Sequence, residues 1–139
     1  TRSNKPARAA TTRAHRELAE NARVVLSERM SDPLTLPRIA RRVHSSPFHL
    51  ARVFRRMTGL SLHQYLTRLR LRAALGRLAD DESDLTALAL SLGFSSHSHF
   101  SDVFRREFNV TPSVFRLGLR SKHIREMSTI LKASPSRSM

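Results

Sequence analysis

Two short stretches of the chain set polar and basic side chains on the helix face opposite a predicted apolar stripe. In the first stretch, a rotation of about 100° per residue places Phe48, Arg52 and Arg55 opposite Leu50 and Phe54. The guanidinium of Arg52 matches the O6 and N7 acceptors of guanine, and an exposed Phe48 ring could contact a thymine methyl group. The alternatives are an ordinary solvated arginine and a phenylalanine that packs against a neighbouring loop. The other features described below favour the thymine contact for Phe48, whereas the spacing alone leaves the solvated alternative open for Arg52.

The second stretch carries Ser98, Asp102 and Arg105 at the equivalent outward positions, and His97 lies at its start. We interpret His97 as a base or phosphate contact, with a plain surface histidine as the alternative. Phosphates would repel the Asp102 carboxylate, so it needs a base partner such as the N4 donor of cytosine, or a cation that holds it away from the nucleic acid. Arg106 lies four residues on, and we expect it to form that ion pair. The second stretch would then position the protein while the first reads bases.

The predicted contacts fall into two groups. Base and groove contacts are expected from Phe48, His49, Ala51, Arg52, Arg55, His97, Ser98, Ser101, Asp102 and Arg105. Phosphate contacts are expected from Arg41, Arg42, Ser46, Arg56, Ser96 and Arg106. Both groups combine donor-rich side chains with few acids, which is the composition expected of a surface that meets phosphate.

Metal-binding and catalytic chemistry are not predicted. His97 and His99 stand two residues apart, about 200° around a helix, so they cannot chelate one ion together. The chain has no cysteine, no Gly-rich phosphate loop and no paired carboxylates in an apolar setting. We therefore predict no cofactor, no bound metal and no enzymatic activity.

The overall charge favours a polyanionic partner. In 139 residues, 25 Lys and Arg stand against 11 Asp and Glu, which gives a formal net charge of +14 and a pI near 11.8. Nucleic acid is the first candidate and an anionic membrane surface is the second. No apolar run approaches the ~18 residues needed to span a bilayer, and the N-terminus lacks the apolar centre of a signal peptide. A soluble, intracellular protein is expected.

The arginines are unevenly distributed. Six of them and no acid lie between Leu36 and Met57, whereas Asp102 and Glu107 balance the two arginines between Leu85 and Phe108. The first stretch should therefore dominate the attraction to phosphate. The predicted helix 61–79 adds four arginines without an acid, and we interpret them as a further phosphate surface: Arg68, Arg70, Arg72 and Arg77.

Local signals place both stretches on helices. N-caps are predicted at Thr35, Ser46, Ser61 with Gln64, Ser96 and Thr111. Pro47 and Pro112 follow two of these caps at a position where proline starts a helix. Gly59 and Asn109 can adopt the left-handed conformation that ends a helix, and Gly93 suits a tight turn.

A two-helix unit occurs twice in the chain. Residues 46–56 match 96–106 at one fixed offset, and residues 36–43 match 85–92 at an offset one residue shorter. The predicted helix 61–79 between the copies would be about 28 Å long at about 1.5 Å per residue, close to the roughly 34–36 Å between successive major-groove faces. The second helices of the two units could thus contact one side of one duplex.

The predicted fold is all-α, with two helix-turn-helix subdomains joined by a central linker helix. About seven helices are expected, plus a possible C-terminal helix. The predicted segments are a flexible basic tail or linker at 1–12, a first subdomain at 13–60, the linker helix at 61–79, a second subdomain at 80–120 and a partly disordered C-terminal extension at 121–139.

The stretch from Leu92 to Arg116 resembles the second helix-turn-helix of the AraC/XylS family of bacterial transcription regulators, and the resemblance extends over roughly 34–117. The family hallmarks are a Gly-Phe turn, a capping Ser, a Phe-rich helix and a closing small-residue, x, Pro run. They correspond to Gly93-Phe94, Ser96, Phe100 with Phe104, and Asn109-Val110-Thr111-Pro112. The chain departs from the family at Asn109, where glycine is usual, and at Asp102, where a neutral or basic residue is commoner.

The resemblance implies sequence-specific binding of double-stranded promoter DNA by a transcription activator. Phe48 and Arg52 fall where the family reads bases in its first motif. The resemblance also implies contact with RNA polymerase and a cytoplasmic, nucleoid-associated location. No membrane contact and no small-molecule site are expected in this segment. The competing hypothesis from composition alone is a structural nucleic-acid-binding or ribosome-associated protein without base specificity.

Overall fold

A computed structural model describes residues 4–80, 84–119 and 122 of the chain. Six helices occupy most of these ranges: α1 (Asn4–Glu28), α2 (Leu36–Arg42), α3 (Pro47–Thr58), α4 (Leu62–Ala79), α5 (Leu85–Ser91) and α6 (His97–Phe108). Residues 112–119 form a further helix, α7. The described ranges contain no strand, so the predicted all-α class is confirmed. The predicted C-terminal extension lies outside the described residues, except for Lys122.

The chain divides into two compact units, Thr1–Ala73 and Ala74–Met139. The boundary falls inside α4, whereas the sequence predicted that this helix would be a separate linker. Leu62 and Leu66, near the start of α4, belong to the hydrophobic core of the first unit. Ala74 and Leu78, near its end, are buried in the part of α4 assigned to the second unit. Each unit therefore includes its own portion of α4.

In the first unit, α1 packs against α2 and α3. Apolar side chains that recur every three or four residues form its core: Ala19, Ala22 and Leu26 of α1, Ile39 and Ala40 of α2, Leu50 and Phe54 of α3, and Leu62 and Leu66 of α4. The Phe54 ring meets Tyr65 of α4 edge to face, with ring centroids 5.4 Å apart. This packing fixes which face of α3 remains exposed.

In the second unit, α5 packs against α6, and phenylalanines build the core beneath them. The Phe100 centroid lies 5.1 Å from that of Phe94 and 5.7 Å from that of Phe104. Phe104 also contacts Phe108 at 4.7 Å and Phe115 of α7 at 5.7 Å. Tilted and edge-to-face pairs of this kind are stabilising beyond the area they bury. The predicted stripe of α6 is thus confirmed as its inner face.

The predicted helix starts are confirmed by hydrogen bonds at each cap. Backbone N–H groups three residues on donate to the side chains of Thr35, Ser46, Ser96 and Thr111. Ser61 and Gln64 form the reciprocal capping box, in which the Ser61 N–H donates to Gln64 Oε1 and the Gln64 N–H donates to Ser61 Oγ. Gly59 and Asn109 end α3 and α6 in the left-handed conformation.

The turn inside each motif has the same backbone, although the residues differ. In the first motif the Ser45 N–H donates to the Ala40 carbonyl and the His44 N–H to the Arg41 carbonyl. In the second motif, Phe94 and Gly93 donate in the same pattern to the carbonyls of Ala89 and Leu90. These paired bonds define a Schellman motif, whose left-handed residue is His44 (φ 56°) in one copy and Gly93 (φ 93°) in the other. The sequence did not predict the left-handed His44.

Helix α1 begins nine residues earlier than predicted. We expected a flexible tail over residues 1–12, but α1 starts at Asn4, so the prediction is wrong for residues 4–12. The segment lacks an apolar stripe, yet Ala7, Ala9 and Ala10 have high helix propensity, and Pro6 lies in the first turn, where proline is tolerated. These turns extend a helix that the core already holds, so no new nucleation is needed.

Arg70 of α4 is a buried structural residue, and its predicted role in a phosphate surface is wrong. It is only 9% exposed. Its Nε donates to the Met30 carbonyl at 2.6 Å, and its Nη2 donates to the Asp32 carbonyl at 2.9 Å. Burial lowers the pKa of the Arg70 guanidinium from its ordinary value, because desolvation disfavours the charged form. Arg70 thus holds the turn after α1 against α4.

Two glycines allow a comparison of how Gly→Ala changes stability at the end of a helix and inside one. Gly59 has φ +78° and Gly76 lies inside α4, and at both positions an added Cβ would meet nothing within 4 Å. Gly59→Ala should lower the free energy of unfolding by about 1 kcal/mol, because alanine is strained at positive φ. Gly76→Ala should raise it by roughly 0.5–1 kcal/mol. Urea unfolding curves would measure both, and equal shifts in one direction would contradict this assignment.

Candidate nucleic-acid interface

Helix α3 presents an uncovered face opposite its buried stripe. Ser46 caps its N-terminus by accepting the His49 N–H at 3.2 Å. Leu50, Val53 and Phe54 turn inward and are buried. Phe48, Arg52 and Arg55 are exposed, and the Phe48 ring is 78% exposed. The alternative in which Phe48 packs against a neighbouring loop therefore does not hold.

The flanks of α3 are partly covered. Ala51 and His49 are half-buried. The His49 ring meets His15 of α1 in an edge contact, with ring centroids 5.6 Å apart. Because one edge of His49 is held by α1, this side chain has less freedom than Phe48 or Arg52. His15 was not among the predicted site residues.

Helix α6 places Ser98, Asp102 and Arg105 on its exposed face, as α3 does with its own outward residues. His97 and Ser101 are half-buried, and His97 Nε2 lies 3.5 Å from Ser101 Oγ. The outward set of α6 thus has a carboxylate and a small hydroxyl where α3 has an aromatic ring and a guanidinium. Its capacity for strong base contacts is correspondingly smaller.

The predicted ion pair between Asp102 and Arg106 is not formed. Ion pairs of 3.4 Å join Arg23 to Glu20 and Arg29 to Asp32, but no such contact joins Asp102 to Arg106. Asp102 and Arg106 are both exposed, so water competes for each charge and little is gained by fixing two long side chains in one geometry. The helical spacing permits the contact without imposing it.

The predicted phosphate contacts are accessible. Arg41, Arg42, Arg56 and Arg106 are exposed. Ser46 and Ser96 are exposed caps whose oxygens accept a backbone N–H, which leaves each hydroxyl hydrogen able to donate. Arg41 and Arg42 also line an open groove of about 480 Å³ with Arg29, Asp32, Pro33, Leu34 and Arg38. In that groove Asp32 pairs with Arg29, and Arg38 Nη1 donates to the Pro33 carbonyl at 3.1 Å.

A second open groove, of about 560 Å³, lies between α1 and the end of α3. Its lining residues come from α1 and from the end of α3: Ala7, Arg8, Thr11, Thr12, His15, Arg56 and Met57. Of these, only Arg56 was predicted as a contact. The missed residues could have been found from their spacing, since positions 8, 12 and 15 extend the buried stripe of α1 toward its N-terminus.

The part of the chain that the structure describes also bears on metal binding and on membrane insertion. No group of three or more His, Asp or Glu side chains is arranged there to hold a metal ion. None of the helices in those ranges combines the length and apolarity that crossing a bilayer requires.

Comparison with known proteins gives a consistent result. A family model described as a helix-turn-helix domain matches residues 39–118, more than half of the chain. The regulatory protein SoxS of Salmonella typhimurium is 33% identical over 103 residues, which are 74% of this chain and 96% of SoxS. The transcriptional activator RhaS of Escherichia coli is 38% identical over 93 residues, which are 67% of this chain but only 34% of RhaS.

Two solved structures share the fold. One is a transcriptional regulator from Chromobacterium violaceum, assigned to the AraC-type DNA-binding domain-containing proteins, with 30% identity and a TM-score of 0.70. The match covers 75% of this chain and 93% of that one. The other is the DNA-binding domain of the global transcriptional factor AdpA in complex with a target DNA, with 26% identity, a TM-score of 0.70, and coverage of 76% and 94%.

Proposed function

The chain belongs to the AraC/XylS family of helix-turn-helix transcription regulators, and from this membership we propose that it binds double-stranded promoter DNA at specific sequences and activates transcription. The observation that carries the proposal is the exposed face of α3, on which Phe48, Arg52 and Arg55 stand opposite a fully buried stripe. Relatives named as a regulator and an activator, and a similar domain solved with DNA, support it.

Helix α3 supplies the sequence readout. Arg52 donates to O6 and N7 of a guanine in the major groove, and the Phe48 ring meets a thymine methyl. His49 and Ala51 border this contact, and Arg55 extends it toward the end of the helix. No catalytic step is involved, so the function is binding rather than enzymatic.

Helix α6 positions the protein with fewer base contacts. Ser98 and Ser101 donate single hydrogen bonds, Arg105 lies in the groove, Arg106 meets a phosphate, and His97 contacts a base or a phosphate near the helix start. Asp102 remains on this face as an acid that lowers the attraction to the duplex. This division of labour follows from the side chains that each helix exposes.

The two recognition helices enter successive major grooves on one face of the duplex. Successive major-groove faces of a duplex lie about 34–36 Å, or one helical turn, apart. A single chain would then contact two segments roughly 10 bp apart. The protein acts in the cytoplasm at the nucleoid, and contact with RNA polymerase on the bound promoter completes the activating role.

Selection of bound sequences from a random duplex pool tests the proposal directly. The expected result is one enriched motif with two segments about 10 bp apart, protected by a monomer in a footprint. The selected duplex should bind at least about 10³-fold more tightly than random DNA. Equal affinity for both would support the alternative of a non-specific, structural nucleic-acid-binding or ribosome-associated protein.

Asp102→Asn tests the assignment of α6. Removing this exposed carboxylate should tighten binding to selected and random duplexes by similar factors, because it removes repulsion from phosphates without removing a base contact. Titration of both duplexes, together with a repeated sequence selection, measures the effect. The assignment fails if the substitution instead abolishes a cytosine preference in the second half of the site, because Asp102 would then be a base reader.

A further inference from the structure

The N-terminal turns of α1 form a basic arm beside the recognition helix of the first unit. From Ala19 onward α1 contributes to the core, but residues 5–14 are all exposed. These turns nevertheless lie along α3, because they line the 560 Å³ groove together with Arg56 and Met57. The edge contact between His15 and His49 marks the point where α1 reaches the start of α3.

The side chains that line this groove are suited to phosphate. Arg8 and Arg56 offer guanidinium donors, Thr11 and Thr12 offer hydroxyls, and His15 offers an imidazole. No carboxylate lines the groove, and within the described ranges neither arginine has an acidic partner within 4.0 Å. The groove near α2 differs, because Asp32 lies in it and its Arg29 and Arg38 already have partners.

The position of the groove indicates which part of the duplex it would meet. His49 and Arg56 lie on one flank of α3, about 80–100° around the helix from the face of Phe48, Arg52 and Arg55. When that face enters a major groove, its flanks face the two sugar-phosphate strands that border the groove. The groove is therefore continuous with the recognition surface and open to the backbone of the same duplex.

We propose that the α1 arm and the end of α3 clamp one DNA strand, with Arg8 and Arg56 holding a backbone phosphate beside the first reading segment. The inference rests on the proposed DNA-binding function and extends it to residues outside the helix-turn-helix. Thr11, Thr12 and His15 add hydrogen-bond donors to the same strand. Since these contacts involve no base edge, they raise affinity for all sequences alike.

The test compares Arg8→Gln in the full chain with Arg13→Gln, which lies on the opposite side of α1 from the groove. Binding to the selected duplex and to a random duplex would be titrated across a range of salt concentrations. Arg8→Gln should weaken both complexes about three- to tenfold at low salt and make the slope of log K against log salt shallower by about 0.9. Arg13→Gln should leave both values unchanged.

A second measurement localises the contact. Duplexes with a single neutral methylphosphonate linkage would be tested at each phosphate beside the first reading segment. One linkage should weaken the wild-type complex and have no further effect on Arg8→Gln, since both changes remove the same contact. An unchanged salt slope for Arg8→Gln, or additive losses at every linkage, would overturn the clamp. Failure of the wild-type chain to discriminate selected from random DNA would instead refute the proposed function.

Discussion

Replacement of Arg70 by methionine is expected to lower the free energy of unfolding by about 2–4 kcal/mol. The guanidinium is almost entirely enclosed and donates to the carbonyls of Met30 and Asp32. A methionine fills a similar volume but cannot donate, so two acceptors in the turn after α1 lose a charged partner. Each such bond contributes about 1.5–3 kcal/mol, and water that reaches the carbonyls recovers part of the loss.

Arg72→Met provides the matched control, since Arg72 is an exposed arginine on the same helix. Its substitution should change the free energy of unfolding by no more than about 0.5 kcal/mol. Urea unfolding followed by circular dichroism measures both variants. If the two substitutions reduced stability equally, general loss of positive charge or of helix propensity would explain the effect better than the two hydrogen bonds.

Arg52→Ala is expected to weaken binding to the selected duplex by about 1–3 kcal/mol and to relax the base preference at one position. Arg52 is exposed on the face of α3 opposite Leu50, Val53 and Phe54, so its loss removes a pair of donors without disturbing the core. On random DNA the loss should be smaller, because only the phosphate attraction of one charge disappears. A repeated sequence selection identifies the relaxed position.

Arg41→Ala distinguishes the loss of a base contact from the loss of positive charge alone. Arg41 lies on the supporting helix α2, where it is also exposed. Its removal should weaken binding to selected and random duplexes about equally and leave the enriched motif unchanged. If Arg52→Ala behaved in the same way as Arg41→Ala, Arg52 would be a phosphate contact, and base reading would have to come from other residues of α3.

The sequence predicted those features that depend on neighbours within a few positions. Ser46 and Ser96 cap their helices because the hydroxyl of an N-cap residue lies within hydrogen-bond distance of the backbone N–H three residues later. The buried faces of α3 and α6 followed from spacing alone, since Leu50, Phe54, Phe100 and Phe104 recur at the helical period. The outward faces of both helices were predictable for the same reason.

Features that depend on distant contacts were missed. Arg70 bonds to residues about forty positions earlier, so its spacing within α4 could not distinguish it from the exposed Arg72. The partnership of His15 with His49 likewise depends on how α1 lies against α3. The ion pair expected between Asp102 and Arg106 was an error of the opposite kind, since favourable spacing on an exposed face does not ensure a contact.

The left-handed conformation of His44 is not evident from the residue itself, but it could have been predicted from the internal repeat. Histidine gives a much weaker signal for positive φ than glycine does, but the offset that aligns the first helices of the two motifs pairs His44 with Gly93. Comparison of the two copies would have indicated the turn conformation at both positions. The register of the repeat was therefore a stronger guide than residue type.

The matched turns also define where the two motifs could be recombined. Their backbones correspond as far as Ser45 and Phe94, so the additional residue of the second copy is Ser95, immediately before the cap. A chimera that exchanges Ser46–Gly59 for Ser96–Asn109 joins both segments downstream of this insertion and keeps each cap and each left-handed terminus. A crossover one residue out of register would instead rotate every transplanted side chain by about 100°, which would turn Arg52, the proposed base contact, away from the exposed face and expose part of the apolar stripe.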